Sequence, residues 1–120
     1  PRPALAAGFA LGRRVSPALA GSRPLRWALV HVPEEARDRR AGNLERVWRD
    51  VAWPATGAFE ALVRGGWPAG AVTDEQLAAG VPAGAEVLVL PAPNDLTPAQ
   101  SGAVRAFEAR GGAVVRLTPD

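Results

Sequence analysis

The sequence EVLVLPAPND, from Glu86 to Asp95, joins a short apolar strand to a turn of Pro, Asn and Asp. It is the clearest strand signal in the chain, because an uninterrupted apolar run follows Glu86 and Pro91 then stops it. Such a run is typical of a parallel sheet covered by helices on both faces. In that kind of sheet, functional groups gather just beyond the carboxyl ends of the strands.

The residues after this turn predict a helix and a further strand. Thr97 is placed to cap the helix, Pro98 suits its first position, and Gln100 stands at the spacing of a reciprocal cap. The pair of glycines that follows FEAR is typical of a helix end, and AVVRL (Ala113 to Leu117) then reads as another strand. The stretch is therefore one strand-helix-strand unit.

The same alternation precedes it. RWALVHV (Arg26 to Val32) predicts a first strand that ends at Pro33, and PAGAVT (Pro68 to Thr73) predicts a weaker second strand followed by a short capped helix. Between them, apolar residues recur at helical spacing after the capping residue Asn43. That stripe consists of Leu44, Val47, Trp48, Val51, Ala55, Ala58, Phe59 and Leu62. Pro54 should kink this helix or divide it in two.

This order of elements predicts an α/β fold: a three-layer, flavodoxin-like parallel sheet with strand order 2-1-3-4 and helices on both faces. We expect residues 26–120 to form the domain, truncated at its C-terminal side, and residues 1–25 to be an approach segment or linker with a short helix. We also expect the sequence to be a piece of a longer chain. The last strand would then be an apolar edge that another strand or subunit covers.

The composition excludes several classes of function. The 120 residues suit one domain, and with no Cys there can be no disulfide, thiolate nucleophile or Cys-based zinc site. His31 is the single histidine, so a His-rich metal site is excluded as well. We therefore expect no metal and no cofactor.

Charge and hydropathy argue against nucleic acid and membrane partners. The net charge is only +2, and the Arg residues around Asp38 alternate with acidic ones instead of forming a basic face. No apolar run approaches the roughly 20 residues that cross a bilayer. Lys, Ile and Tyr are absent while Ala, Arg, Gly and Pro abound, which suggests a GC-rich bacterial genome. Arg13 and Arg14 follow the first apolar stretch, which is the wrong order for a secretory signal, so we expect a cytoplasmic location.

Three stretches carry a family resemblance: ALVHVPEEARD, the segment AGNLERVWRDVAWPATGAFEALVRGGWPAGAVTDEQL, and VLVLPAPNDLTPAQSGAVRAFEARGGAVVRL. Together they cover residues 26 to 117 and resemble the β-galactosidase trimerisation domain and related modules of glycoside-hydrolase-type proteins. That family belongs to the class I glutamine amidotransferase-like superfamily. The resemblance implies a module beside a catalytic barrel that contributes subunit contacts or walls of a sugar site. Amidotransferases of this superfamily attack with a Cys, which this sequence lacks, so the fold carries over and the activity does not.

Four polar residues are candidates for binding a ligand at the carboxyl edge of the sheet: His31, Glu34, Asn94 and Asp95. Each also has a structural interpretation, since a histidine packs well at a strand end and Asn and Asp favour turns. Two carboxylates about 5 to 10 Å apart could hydrolyse a glycoside, which makes Glu34, Glu35 and Asp95 a third, enzymatic hypothesis. Sequence spacing cannot establish that separation, and acids paired with Arg on a solvated loop are the alternative.

Three apolar residues are candidates for an interface: Trp53 next to Pro54, and Val114 and Leu117 on the last strand. Tryptophans also stack on sugars, although their positions here favour packing. Our first hypothesis is a non-catalytic module that acts in subunit assembly or supports a carbohydrate-active site, with a second copy or other domains of a parent protein as partners. The alternative is a stand-alone flavodoxin-like domain that binds a small ligand.

Overall fold

The computed structural model describes residues 2–23 and 25–118. Within those ranges the α-helices are α1 (Arg2–Leu19), α2 (Glu34–Arg39), α3 (Leu44–Val47), α4 (Trp53–Arg64), α5 (Asp74–Ala79) and α6 (Pro98–Ala109). The strands are β1 (Ala28–Val32), β2 (Ala69–Thr73), β3 (Val87–Leu90) and β4 (Ala113–Arg116). A π-helical turn (Trp48–Ala52) joins α3 to α4, and a 3₁₀ turn (Pro93–Asp95) follows β3.

The strands form one parallel sheet in the order β2-β1-β3-β4, so the predicted α/β class and strand order are confirmed. Ala28 of β1 pairs with Ala69 on one side and Val87 on the other. The strands can all run parallel because a helical connection carries the chain back before each next strand begins. All the carboxyl ends therefore lie at one edge, where the candidate site was expected.

The main core lies between the sheet and helices α5 and α6. Its buried residues are Leu29, Val72, Leu77, Val81, Ala85, Leu88, Leu90, Val104 and Phe107. Both covering helices begin with a capping box, Thr73 with Gln76 and Thr97 with Gln100, as the sequence predicted. These caps satisfy amide groups at the helix starts and so hold each helix at the strand end that precedes it.

Helices α2 to α4 lie on the opposite face, where a small cluster of Ala36, Val51 and Ala92 is buried. The predicted interruption near Pro54 is confirmed: the π-helical turn ends at Ala52 and Pro54 lies in the first turn of α4. Proline suits that position because its missing amide has no partner at a helix start.

Three details differ from the expectations. Residues 34–39 form α2 and not the predicted solvated loop, because Glu34 and Glu35 favour the positive end of a helix dipole and Arg37 and Arg39 its last turn. The predicted apolar stripe is only partly buried, since Leu44 is 69% exposed and Trp48 is 52% exposed. The short helix expected in the approach segment is the 18-residue α1, which buries none of its residues.

Candidate functional site

The carboxyl edge of the sheet holds two polar clusters, and the first is built around His31. This side chain is only 1% exposed and lies on β1, one residue from the strand end. Its Nε2 lies 2.7 Å from Oδ1 of Asp74, which is the first residue of α5 and directly follows β2. The two groups meet because β1 and β2 are neighbours and end at the same level.

Asp74 gathers further donors. The backbone amide of Glu35 donates to its Oδ2 at 2.9 Å, and Nε2 of Gln100 donates to its Oδ1 at 3.2 Å. Burial of the Asp74 carboxyl acts to raise its pKa, but the hydrogen bonds from Glu35, His31 and Gln100 outweigh burial and leave the pKa below its ordinary value. Asp74 is therefore ionised, and its hydrogen bonds connect β1, α2 and α6.

His31 is correspondingly neutral. Burial lowers the pKa of the imidazole, and its hydrogen bond to Asp74 opposes this only in part. Nε2 then carries the proton that is donated to Asp74, and Nδ1 is left with a lone pair. This buried Nδ1 has no hydrogen-bond partner among the described residues.

The second cluster is built around Arg40, which follows α2 and reaches the turn beyond β3. Its guanidinium donates from Nη1 and Nη2 to the two carboxylate oxygens of Asp95, at 3.1 and 2.8 Å. It also donates from Nε to Asp50 at 3.3 Å. The hydrogen bond from Arg40 is the main reason that the pKa of Asp95 lies below its usual value. Asp95 is therefore ionised, and the positive charge of Arg40 balances its negative charge.

The structure therefore separates the four predicted ligand-binding residues. His31 belongs to the Asp74 cluster, and Asp95 belongs to the Arg40 cluster. Glu34 and Asn94 are both exposed, on α2 and in the 3₁₀ turn. Asp74 and Arg40 were not predicted from the sequence. A residue directly after a capping residue is normally interpreted as part of the helix, and an Arg among acidic residues is normally interpreted as a surface residue. The signal for Asp74 was its place directly after a strand that neighbours β1.

Two polar cavities adjoin these clusters. One of about 440 Å³ lies beside Asp74 and Gln100, and its carboxylates are Glu34, Glu35, Asp38, Asp74 and Glu75. The other, of about 370 Å³, lies between Arg40, Asp50 and the turn that contains Asn94 and Asp95. The first would repel phosphates and would favour a cationic or neutral polar molecule.

A larger cavity of about 760 Å³ is apolar and lies away from both clusters. Its floor is formed by Val30 and Val32 of β1 and Ala71 of β2, and its wall by Phe59 and Val63 of α4. We call this cavity the α4 groove. It stays open because β2 is an edge strand and α5 and α6 pack on the other face.

The predicted interface residues have different environments. Trp53 is 63% exposed and lies beside Trp48, with the ring centroids 6.4 Å apart. Val114 packs against the main core, and Leu117 is half-buried while its amide donates to the carbonyl of Leu90. On the edge strand β4 it is Val115, not Val114, that is exposed. Trp53 therefore has the exposed aromatic surface expected of an interface anchor.

Comparison of the chain with protein-family models, with curated proteins and with solved structures finds no match. Over residues 2–23 and 25–118, no helix combines the length and apolar character needed to cross a membrane. In the same ranges, no group of three or more His, Asp and Glu side chains is arranged to hold a metal ion. Function must therefore be argued from the surfaces and the two polar clusters.

Proposed function

We propose that this chain is a non-catalytic α/β module that works in assembly, with the α4 groove as its contact surface. The observation that carries the proposal is a contrast between two regions. The central charged groups at the carboxyl edge are bound to one another, whereas Phe59 and Val63 on the wall of the α4 groove are 38% and 56% exposed to solvent. Open apolar patches on soluble proteins mark contact surfaces for other proteins or ligands.

The electrostatics of Asp95, one of the three carboxylates of the glycosidase hypothesis, argue against a role for it as the general acid. A glycosidase needs one carboxyl group with a raised pKa, so that it can protonate the leaving group. The pKa values of Asp74, Asp95 and Asp50 are all lowered by hydrogen bonds from neighbouring donors. Each is an ionised structural carboxylate and none of them is a general acid.

The family resemblance supports the same function. Amidotransferase-like modules of glycoside-hydrolase-type proteins stand beside a catalytic barrel and contribute subunit contacts or walls of a sugar site. A module of that kind needs a folded α/β body and an apolar contact surface, and it needs no catalytic centre. The partners proposed for this chain are a second copy of itself or other domains of a parent protein.

A pair of variants on α4 tests the proposal by sedimentation velocity over a wide concentration range. Val63 lines the groove, whereas Ala61 is exposed on the same helix outside it. We expect the wild-type chain and Ala61→Glu to assemble as concentration rises, and Val63→Glu to stay monomeric because a carboxylate would be buried in the contact. Circular dichroism shows whether both variants keep the fold. Equal assembly of all three chains would contradict the proposal.

A second candidate is the binding of a small polar ligand at the carboxyl edge. It is favoured by one observation, the cavity of about 440 Å³ whose lining includes Glu34, Glu35, Asp38, Asp74 and Glu75. The acidic cavity beside Asp74 suits a neutral sugar or an amine better than a nucleotide. Thermal-shift screening with sugars, amines and nucleotides should then raise the melting temperature for the first two classes, and Asp74→Asn should abolish the effect. No shift with any compound would remove this candidate.

A further inference from the structure

Helix α1 is the second apolar surface that the fold leaves open. It is 18 residues long and none of its residues is buried. Its large apolar side chains are between 40% and 63% exposed: Leu5, Phe9, Leu11, Val15 and Leu19. The radius of gyration is 17.2 Å, against about 14 Å for a compact domain of this length, because α1 projects away from the sheet.

The apolar side chains of α1 lie on one half of its circumference. Leu5, Phe9 and Leu19 recur at spacings that keep them on one side of a helix, and Leu11 and Val15 adjoin them on the same half. Arg2 and Arg13 lie on the other half. A helix patterned in this way normally packs its apolar side against a protein surface.

The residues before Glu34 and the residues from Glu34 onward carry net charges of opposite sign. The residues before it include five Arg and no Asp or Glu, a net charge of +5, and the rest carries nine Arg against twelve acidic residues, a net charge of −3. Four charged side chains line the α4 groove. Arg64 is paired with Glu60 at 2.7 Å and Arg37 with Asp38 at 3.2 Å, whereas Glu34 forms no salt bridge among the described residues. The two Glu and two Arg of the lining balance one another, and Glu34 is the lining carboxylate that is available to an Arg of α1.

We propose that α1 of one copy occupies the α4 groove of a second copy. This inference rests on the proposed function and names the partner of the same surface. The lengths agree, because the wall of the groove from Val51 to Arg64 and the apolar side of α1 from Leu5 to Leu19 both span about 20 Å. Each chain has one open helix and one open groove, so a reciprocal exchange closes with two-fold symmetry and leaves neither exposed.

Disulfide trapping tests the exchange directly, because the chain has no Cys of its own. Gly12→Cys places a thiol on the apolar side of α1, and Thr56→Cys places one in the groove. Mild oxidation of a mixture of the two single variants should give a mixed disulfide dimer. The double variant should give a dimer that runs at twice the monomer mass on a non-reducing gel.

Each other outcome of trapping overturns the inference. Disulfides between Gly12→Cys chains alone would show that α1 pairs with α1. An internal disulfide in the double variant, seen as a fast-running monomer, would show that α1 closes on its own groove. No disulfide in either experiment would show that the two surfaces do not meet.

Complementation separates this inference from the proposed function. Phe9→Glu and Val63→Glu should each be monomeric, and an equimolar mixture should form a dimer because one intact helix and one intact groove remain. Ala6→Glu, on the other half of α1, should assemble like the wild type. If Val63→Glu is monomeric while Phe9→Glu assembles, the exchange is wrong and the proposed function stands. If the wild-type chain is monomeric at every concentration, the exchange fails and so does assembly with a second copy.

Discussion

Arg40 is the residue that binds the carboxyl edge together, and its pairing explains why Asp95 is structural. Arg40 and Asp95 are 14% and 20% exposed and meet through two hydrogen bonds, so water screens the pair less than a surface ion pair. Asp95→Ala would leave the guanidinium partly buried with Asp50 as its remaining carboxylate partner.

We therefore expect Asp95→Ala to lower the free energy of unfolding by about 2 kcal/mol in urea denaturation, because it removes charge-assisted hydrogen bonds. Asp38→Ala is the matched control, since its salt bridge with Arg37 is exposed and should contribute about 0.5 kcal/mol or less. Equal effects of the two substitutions would show that the Arg40 pair contributes no more than a surface contact.

The single histidine gives a pH dependence that can be assigned to one residue. Burial lowers the pKa of His31 in the folded state, whereas the unfolded chain binds the same proton at about 6.5. Between these two pKa values the unfolded state holds more protons, so the free energy of unfolding falls as pH decreases through this range. Urea denaturation at pH 7.5 and pH 5.5 measures the change.

His31→Asn should remove the pH dependence of the unfolding free energy at pH values above those at which carboxylates titrate. The ionised Asp74 and Asp95, whose pKa values are lowered, lose their contribution only below about pH 4, where the unfolded acids begin to protonate. The wild-type imidazole should also titrate below 6.5 in a proton NMR titration. A midpoint above 6.5 would show that Asp74 outweighs burial.

At the scale of elements, the turn from α6 to β4 depends on a close approach of backbone and ring. A side chain at Gly112 would collide with the buried ring of Phe107, whereas Gly102 within α6 has open space around it. We expect Gly112→Ala to lower the free energy of unfolding by about 1 to 3 kcal/mol through overpacking. Gly102→Ala should instead raise it by about 0.5 to 1 kcal/mol, because alanine is the better helix former.

Thermal and urea denaturation of the two alanine variants give these signs. If Gly112→Ala proved as stable as the wild type, the packing of Phe107 against this turn would be looser than the structure shows. A destabilised Gly102→Ala would mean that α6 has a close neighbour at that point.

The elements were predictable wherever one local rule decided them. Apolar runs gave the strands, and Thr97 with Gln100 gave the start of α6, because these signals lie within a few residues of one another. Helix α2 was missed because six charged or small residues without an apolar stripe carry no periodic signal. The meeting of His31 with Asp74 joins residues 43 positions apart and could be seen only once the register of β1 and β2 was known.

At the scale of the whole molecule, the strand order followed from the crossover rule, but the open surfaces did not. An apolar residue in a helical pattern reads as core, and only the placement of α4 shows that Phe59 and Val63 border an open groove. The same holds for α1, whose apolar side is not buried against any of the residues that the structure describes. These two surfaces, more than the charged edge of the sheet, are the basis of the proposed assembly function.

Sedimentation equilibrium of the unmodified chain tests this account most directly. The account predicts a mass that rises with concentration from the monomer value of 12.5 kDa toward twice that value, as helices and grooves of two copies combine. A mass of 12.5 kDa at every concentration would contradict it.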